Sequence, residues 1–127
     1  MERSAEVEAL RVASRLLTLA EGPTNSPATW QGVCSFLGIL YVPFYGPRQA
    51  TGEYVRYDEP AHAAIALNAN LQPEHQCRVW LHELSHHLLF ESAPQLIFDP
   101  PLIHRYDDEH GGLAHRIACR VERLVSG

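Results

Sequence analysis

The stretch Trp80-Leu81-His82-Glu83-Leu84-Ser85-His86-His87-Leu88-Leu89-Phe90 constrains this chain more than any other. Val79, Leu81, Leu84, Leu88 and Leu89 recur at helical spacing around a His-Glu-x-x-His pattern, so the segment reads as a buried helix that carries polar groups. His82 and His86 are four apart, project from one face and can grip one cation with two imidazoles. Glu83 lies roughly 100° round the helix, too far to be an equal ligand but near enough to reach a water held by that cation. Zinc hydrolysis needs this pairing. The metal lowers the pKa of water from about 15.7 towards about 7, and a carboxylate takes the proton and later hands it on. A short pattern of this kind also arises by chance. Here, however, two imidazoles and a carboxylate sit in an apolar helix, where burial is costly unless something satisfies them, and a metal ion would do so.

The rest of the composition is that of a soluble globular protein of 127 residues, with 46% hydrophobic and 20% charged residues, large enough for one domain spanning residues 1–127. A net charge of −5 argues against a direct nucleic-acid surface, which takes clustered basic groups. Cys34, Cys77 and Cys119 form no CxxC pair, so neither a disulfide framework nor a cysteine zinc knuckle is expected. The N-terminus has no apolar signal core and the chain no run of 18 apolar residues. A cytoplasmic location, away from any membrane, is the expectation.

Two helices, three short strands, the motif helix and a last helix are expected in that order. The first helix spans Ser4 to Ala20, capped by Ser4, with Val7, Leu10, Ala13, Leu17 and Ala20 as its core-facing stripe. Ala28 to Leu37 is the second, closed by Gly38. Strands are expected at residues 39–44, 52–57 and 61–67, the last ending at Asn68. The motif helix starts near Pro73, which suits a first helical position, and runs to Phe90 or Glu91. Residues 94–108, with Pro100-Pro101, read as a long loop, and the last helix as Asp108 to Val125. The fold class is α+β, a minimal zincin-like domain with a small mixed or antiparallel sheet packed on helices around the central motif helix.

Catalytic zinc sites use three protein ligands plus water, so a third donor is required. The candidates are His115, then Glu109, then His110. His115 shares one face of the last helix with Ala118, Cys119 and Glu122, and the small Ala118 lets that helix approach the motif helix. His87 lies on the Glu83 side and can edge the cleft, whereas His62, His75 and His104 read as surface residues. Tyr54, Tyr57 and Tyr106 are candidate hydrogen-bond donors to an oxyanion.

From about Leu37 to Phe90 the sequence resembles the ImmA/IrrE family of bacterial metallopeptidases. The likeness runs through Leu37-Gly38-Ile39, Gly52, Ile65-Ala66-Leu67-Asn68 and Gln76-Cys77-Arg78 to His82-Glu83-Leu84-Ser85-His86-His87-Leu88-Leu89. The resemblance implies zinc held by His82 and His86, with Glu83 as general base. It also implies a protein substrate of the helix-turn-helix repressor type, whose cleavage switches on stress-response or mobile-element genes. In that family the third ligand is a Glu before an Ala-Asn pair. Here His115 falls at that place, with Ala118-Cys119 following and no Leu-Met-Pro ending. The last helix also faintly resembles SprT-type proteases, a likeness that points to His110-Gly111. With the sequence ending at Gly127, no further DNA-binding or sensory domain is expected. The alternatives are a non-catalytic metal-binding or regulator-binding module of the same fold, and a hydrolase of small amides.

Overall fold

The computed structural model of the chain describes residues 3–57, 62–92, 102–105 and 112–126. Its elements are α1 (Arg3–Leu19), α2 (Pro27–Phe36), β1 (Leu40–Phe44), β2 (Gly52–Tyr57), β3 (His62–Asn68), α3 (Pro73–Ser92), β4 (Leu102–Arg105) and α4 (Leu113–Ser126). The strands form one mixed sheet in the order β1-β3-β2-β4, with β1 parallel to β3 and the other pairs antiparallel. This is the expected small α+β architecture. It has one strand more than the sequence reading gave: β4 falls inside the stretch read as a loop and pairs Arg56 with Leu102 through Glu53 with Arg105. A four-residue edge strand is too short to show alternation, and only its backbone pairing with β2 makes it a strand.

α3 is the centre of the molecule, packing against α1, α2, α4, β2 and β3. Trp80, Leu81, Leu84 and Leu89 are fully buried along it, and so are His82, Glu83 and His86. Pro73 is its first residue, where the missing N–H costs nothing. The preceding turn is tied down by Gln76, whose Nε2 donates to the carbonyls of Ala69 and Leu71. Asn68, at the end of β3, does the same for the turn after β1. Its Nδ2 donates to the carbonyls of Gly46, Pro47 and Ala50, while its Oδ1 accepts from the N–H groups of Gly46 and Asn70. A buried amide thereby satisfies a loop that no strand pairs with.

α1 differs from the sequence reading in which face it buries. Ala5, Ala9, Val12, Ala13 and Leu16 are its buried side chains, whereas Val7, Leu10 and Leu17 are about half exposed, at 54, 51 and 48%. The small residues win because they let α1 lie close against α4 and α3, which the larger stripe would hold apart. Ser4 lies within the helix rather than capping it. At the far side Arg120 Nε and Nη2 donate to Glu6 Oε1 at 3.1 and 3.0 Å, joining α4 to α1. α2 begins at Pro27 behind Ser26, whose side chain makes no capping bond, and ends where Gly38 takes φ +75°. Among the described residues no helix is long and apolar enough to cross a membrane.

Candidate metal centre

The helical period puts His82 and His86 one above the other, with ring centroids 5.0 Å apart. Glu83 sits beside them, and donor atoms of the three side chains lie within 4.8 Å of one another. α4 completes the group from the opposite side. His115 has its ring 4.7 Å from that of His82 and 6.3 Å from that of His86. Its Nδ1 lies 3.2 Å from His82 Nε2. His115 is thus brought to the motif helix. Glu109, His110 and Tyr106 lie outside the described residues.

The other nitrogen of His82 explains how its ring is held. Nδ1 lies 2.8 Å from Glu122 Oε2, and both groups are buried. A carboxylate only accepts, so the ring proton sits on Nδ1 and the acceptor lone pair on Nε2, facing His115. Metal-ligating histidines are typically held by such an outer carboxylate, which fixes tautomer and orientation.

These donors fit a divalent cation. Two imidazole nitrogens at about 2.05 Å from a tetrahedral zinc stand about 3.3 Å apart, close to the spacing between His82 Nε2 and His115 Nδ1. Neutral nitrogen donors with one carboxylate beside them form the set that zinc accepts. The two-nitrogen contact also serves as a ring-to-ring hydrogen bond when no ion bridges it.

A second layer lies on the β2 side. Tyr54 is fully buried, its ring nearly parallel to that of His86 with centroids 6.4 Å apart. Its hydroxyl shares a hydrogen bond of 2.9 Å with His87 Nδ1. His87 Nε2 lies 3.0 Å from Glu91 Oε1. Burial, reinforced by Arg56, pushes the pKa of His87 below the ordinary histidine value, although Glu91 opposes the shift. A neutral His87 with its proton on Nε2 therefore accepts from the Tyr54 O–H. Burial also raises the Tyr54 phenol to about 12, so it stays a donor. Of the tyrosines singled out in the sequence, Tyr54 is the one seen beside the motif helix, and its hydroxyl points at His87. Arg56, on the same strand, stacks over the Phe90 ring at 3.5 Å. His62 is exposed, and His75 lies half-buried near the start of α3, away from the cluster. His104 lies on β4.

Two members were not read from the sequence as part of the centre: Glu122, which holds His82, and Cys119, whose Sγ lies 3.6 Å from His115 Nε2 and 3.9 Å from His82 Nδ1. Their signal was present. Residues 115, 119 and 122 share one face of α4, but which neighbour that face meets is a tertiary fact.

A peptidase family model described as the IrrE N-terminal-like domain matches residues 44–118, more than half of the chain and all four of His82, Glu83, His86 and His115. The chain belongs to the IrrE N-terminal-like domain family. No curated protein and no solved structure matches it. Family membership and the buried His82-Glu83-His86 cluster together fit a metallopeptidase in general. The family match stops one residue short of Cys119 and does not reach Glu122.

Proposed function

We propose that this IrrE-like chain is a zinc-dependent peptidase of the cytoplasm that cuts a protein substrate, of which a helix-turn-helix repressor is the best candidate. The observation that carries this reading is the convergence of His82 and His86 from α3 with His115 from α4, beside the buried carboxylate of Glu83. The three imidazoles would hold the ion, and Glu122 keeps the His82 ring turned towards it through Nδ1. A bound Zn²⁺ supplies Lewis-acid activation of water and of the scissile carbonyl. Glu83 accepts the water's proton at its carboxylate and returns it to the leaving amine nitrogen. The full burial of His82, Glu83 and His86 lowers the local dielectric and strengthens each of these charge interactions.

The test incubates the purified protein with the repressor encoded nearest its gene and follows the cut by mass spectrometry, alongside Glu83→Gln. Cleavage by the wild type and a fall of at least about a hundredfold in the variant, with metal content unchanged, is the expected result. Metal-loaded wild type that binds the repressor without cutting it, and the same binding in Glu83→Gln, would make this a non-catalytic regulator-binding module. Small chromogenic amides should not be turned over; if they are, the substrate class is wrong.

A further inference from the structure

α1 turns its larger apolar residues outward. Val7, Leu10 and Leu17 stand about half exposed, while the small Ala5, Ala9 and Ala13 are buried where α1 packs on α3 and α4. The exposed residues are not scattered. Arg3, Val7, Leu10, Ser14, Leu17 and Glu21 follow one another at steps of four, three, four, three and four, and every one of them is exposed. That is the heptad spacing of a two-helix seam, which draws one narrow stripe along a helix. The Ala20 N–H still bonds to the Leu16 carbonyl, so the helical course carries the stripe up to Glu21.

We propose that this stripe is the contact of a homodimer, in which α1 packs antiparallel on α1 of a second copy about a twofold axis. The charges select both the partner and the direction. An antiparallel pair sets the partner's Leu17 on Val7, its Ser14 on Leu10 and its Glu21 on Arg3, and repeats each contact across the axis. A parallel pair would set each residue on its own copy, with Arg3 on Arg3 and Glu21 on Glu21. Like charges would then meet at both ends. A cation at one end, an anion at the other and apolar side chains between them make the stripe complementary to itself in one orientation only. Arg11 lies near the axis on both chains, and its own Glu8 pairs with it there. Beside Glu21 a groove of about 250 Å³ between α1 and α2, lined in part by Thr18 and the exposed Phe36, lies where the partner's first turn arrives. The stripe is on the side of α1 opposite its buried residues, so the pairing needs no metal and is independent of the function proposed above. α1 has 17 residues and is about 25 Å long, so one such helix pair falls below the roughly 1,200 Å² of standard interfaces. The dimer is therefore a weak one, and salt screens its charged ends.

Sedimentation equilibrium of the full-length protein tests this from roughly 1 μM to 1 mM, the span that brackets a weak interface. The expected result is an average mass that rises with concentration towards twice the 14.3 kDa of one chain. Leu10→Glu places a carboxylate in the seam and should weaken association at least about tenfold. Its circular dichroism should match the wild type, because Leu10 packs on nothing in its own chain's core. Arg3→Glu should weaken association about fivefold, and adding Glu21→Arg to it should restore the wild-type value, since the pair is then reversed rather than broken. A wild type that stays monomeric over the whole range overturns the proposal and leaves the stripe to a different protein. A dimer that Leu10→Glu leaves intact overturns it too, placing the contact on another face. A double variant as weak as Arg3→Glu alone overturns the antiparallel pairing.

Discussion

The interaction that most shapes the centre is the 2.8 Å contact between Glu122 and His82, because it decides which imidazole nitrogen faces His115. Replacing Glu122 by Gln keeps its size and one acceptor oxygen but removes the charge and adds an N–H that can turn towards the ring. The expected outcome is a loss of about 10–100-fold in zinc affinity, the usual effect of removing such an outer carboxylate. Competition against a chromophoric chelator measures it, and an affinity within twofold of wild type would mean that Glu122 does not orient the ligand. At this scale the sequence was legible wherever the partners share a helix. The pair His82 and His86 follows from the helical period alone, and so does the offset of Glu83. His115 ranked first for a similar reason: it faces inward with Ala118 on a helix expected to pack on α3. Glu122 escaped because a partner 40 residues from His82 is found only by knowing how α3 and α4 cross.

Between elements, the close approach of β2 to α3 is set by a missing side chain. A Cβ on Gly52 would collide with Val79 Cγ1 and come within 3.1 Å of the Ala66 carbonyl oxygen, one from α3 and the other from β3. Gly52→Ala therefore has to push β2 off the helix. It is expected to cost about 1–3 kcal/mol, the range for overpacking a filled core, read as a lower urea midpoint at unchanged slope. The same shift moves Tyr54, two residues along, away from His87, so the peptidase activity proposed above should fall as well. A midpoint equal to wild type would show that the strand has slack. The elements themselves were largely legible: β2 has the bounds its alternation gave, and α3 starts at Pro73 and runs one residue past the expected end. Two features were not. β4 is held by backbone bonds to β2 and carries no pattern of its own. The register of α1 was misread because hydrophobic size was weighed above closeness, whereas Ala5, Ala9 and Ala13 are buried by letting neighbouring helices come near.

Over the whole molecule, α4 is the piece whose attachment matters most, since it brings His115, Cys119 and Glu122 to a helix that the sheet and α2 already hold. Its fixed points are the Ile117 and Val121 packing, the Arg120–Glu6 fork to α1 and the Glu122–His82 contact. A cation shared by α3 and α4 would add a cross-link between segments that lie far apart in the unfolded chain, so binding should appear as stability. A ligand that binds only the folded state at a hundredfold excess over its Kd stabilises by about 2.7 kcal/mol. For a chain of this size that is roughly 8–14 °C in Tm, taking about 3–5 °C per kcal/mol. Thermal unfolding followed by circular dichroism should therefore shift upward on adding zinc to chelator-stripped protein and downward on chelation. In His82→Ala the zinc-dependent shift should vanish, because the ring that links Glu122, His115 and the ion is gone. In His115→Ala it should shrink to a small residue, since the ion would then be held from α3 without its imidazole anchor on α4. Equal zinc shifts in wild type and His115→Ala would show that the ion is carried by α3 without α4. The packing of the two helices would then owe nothing to metal.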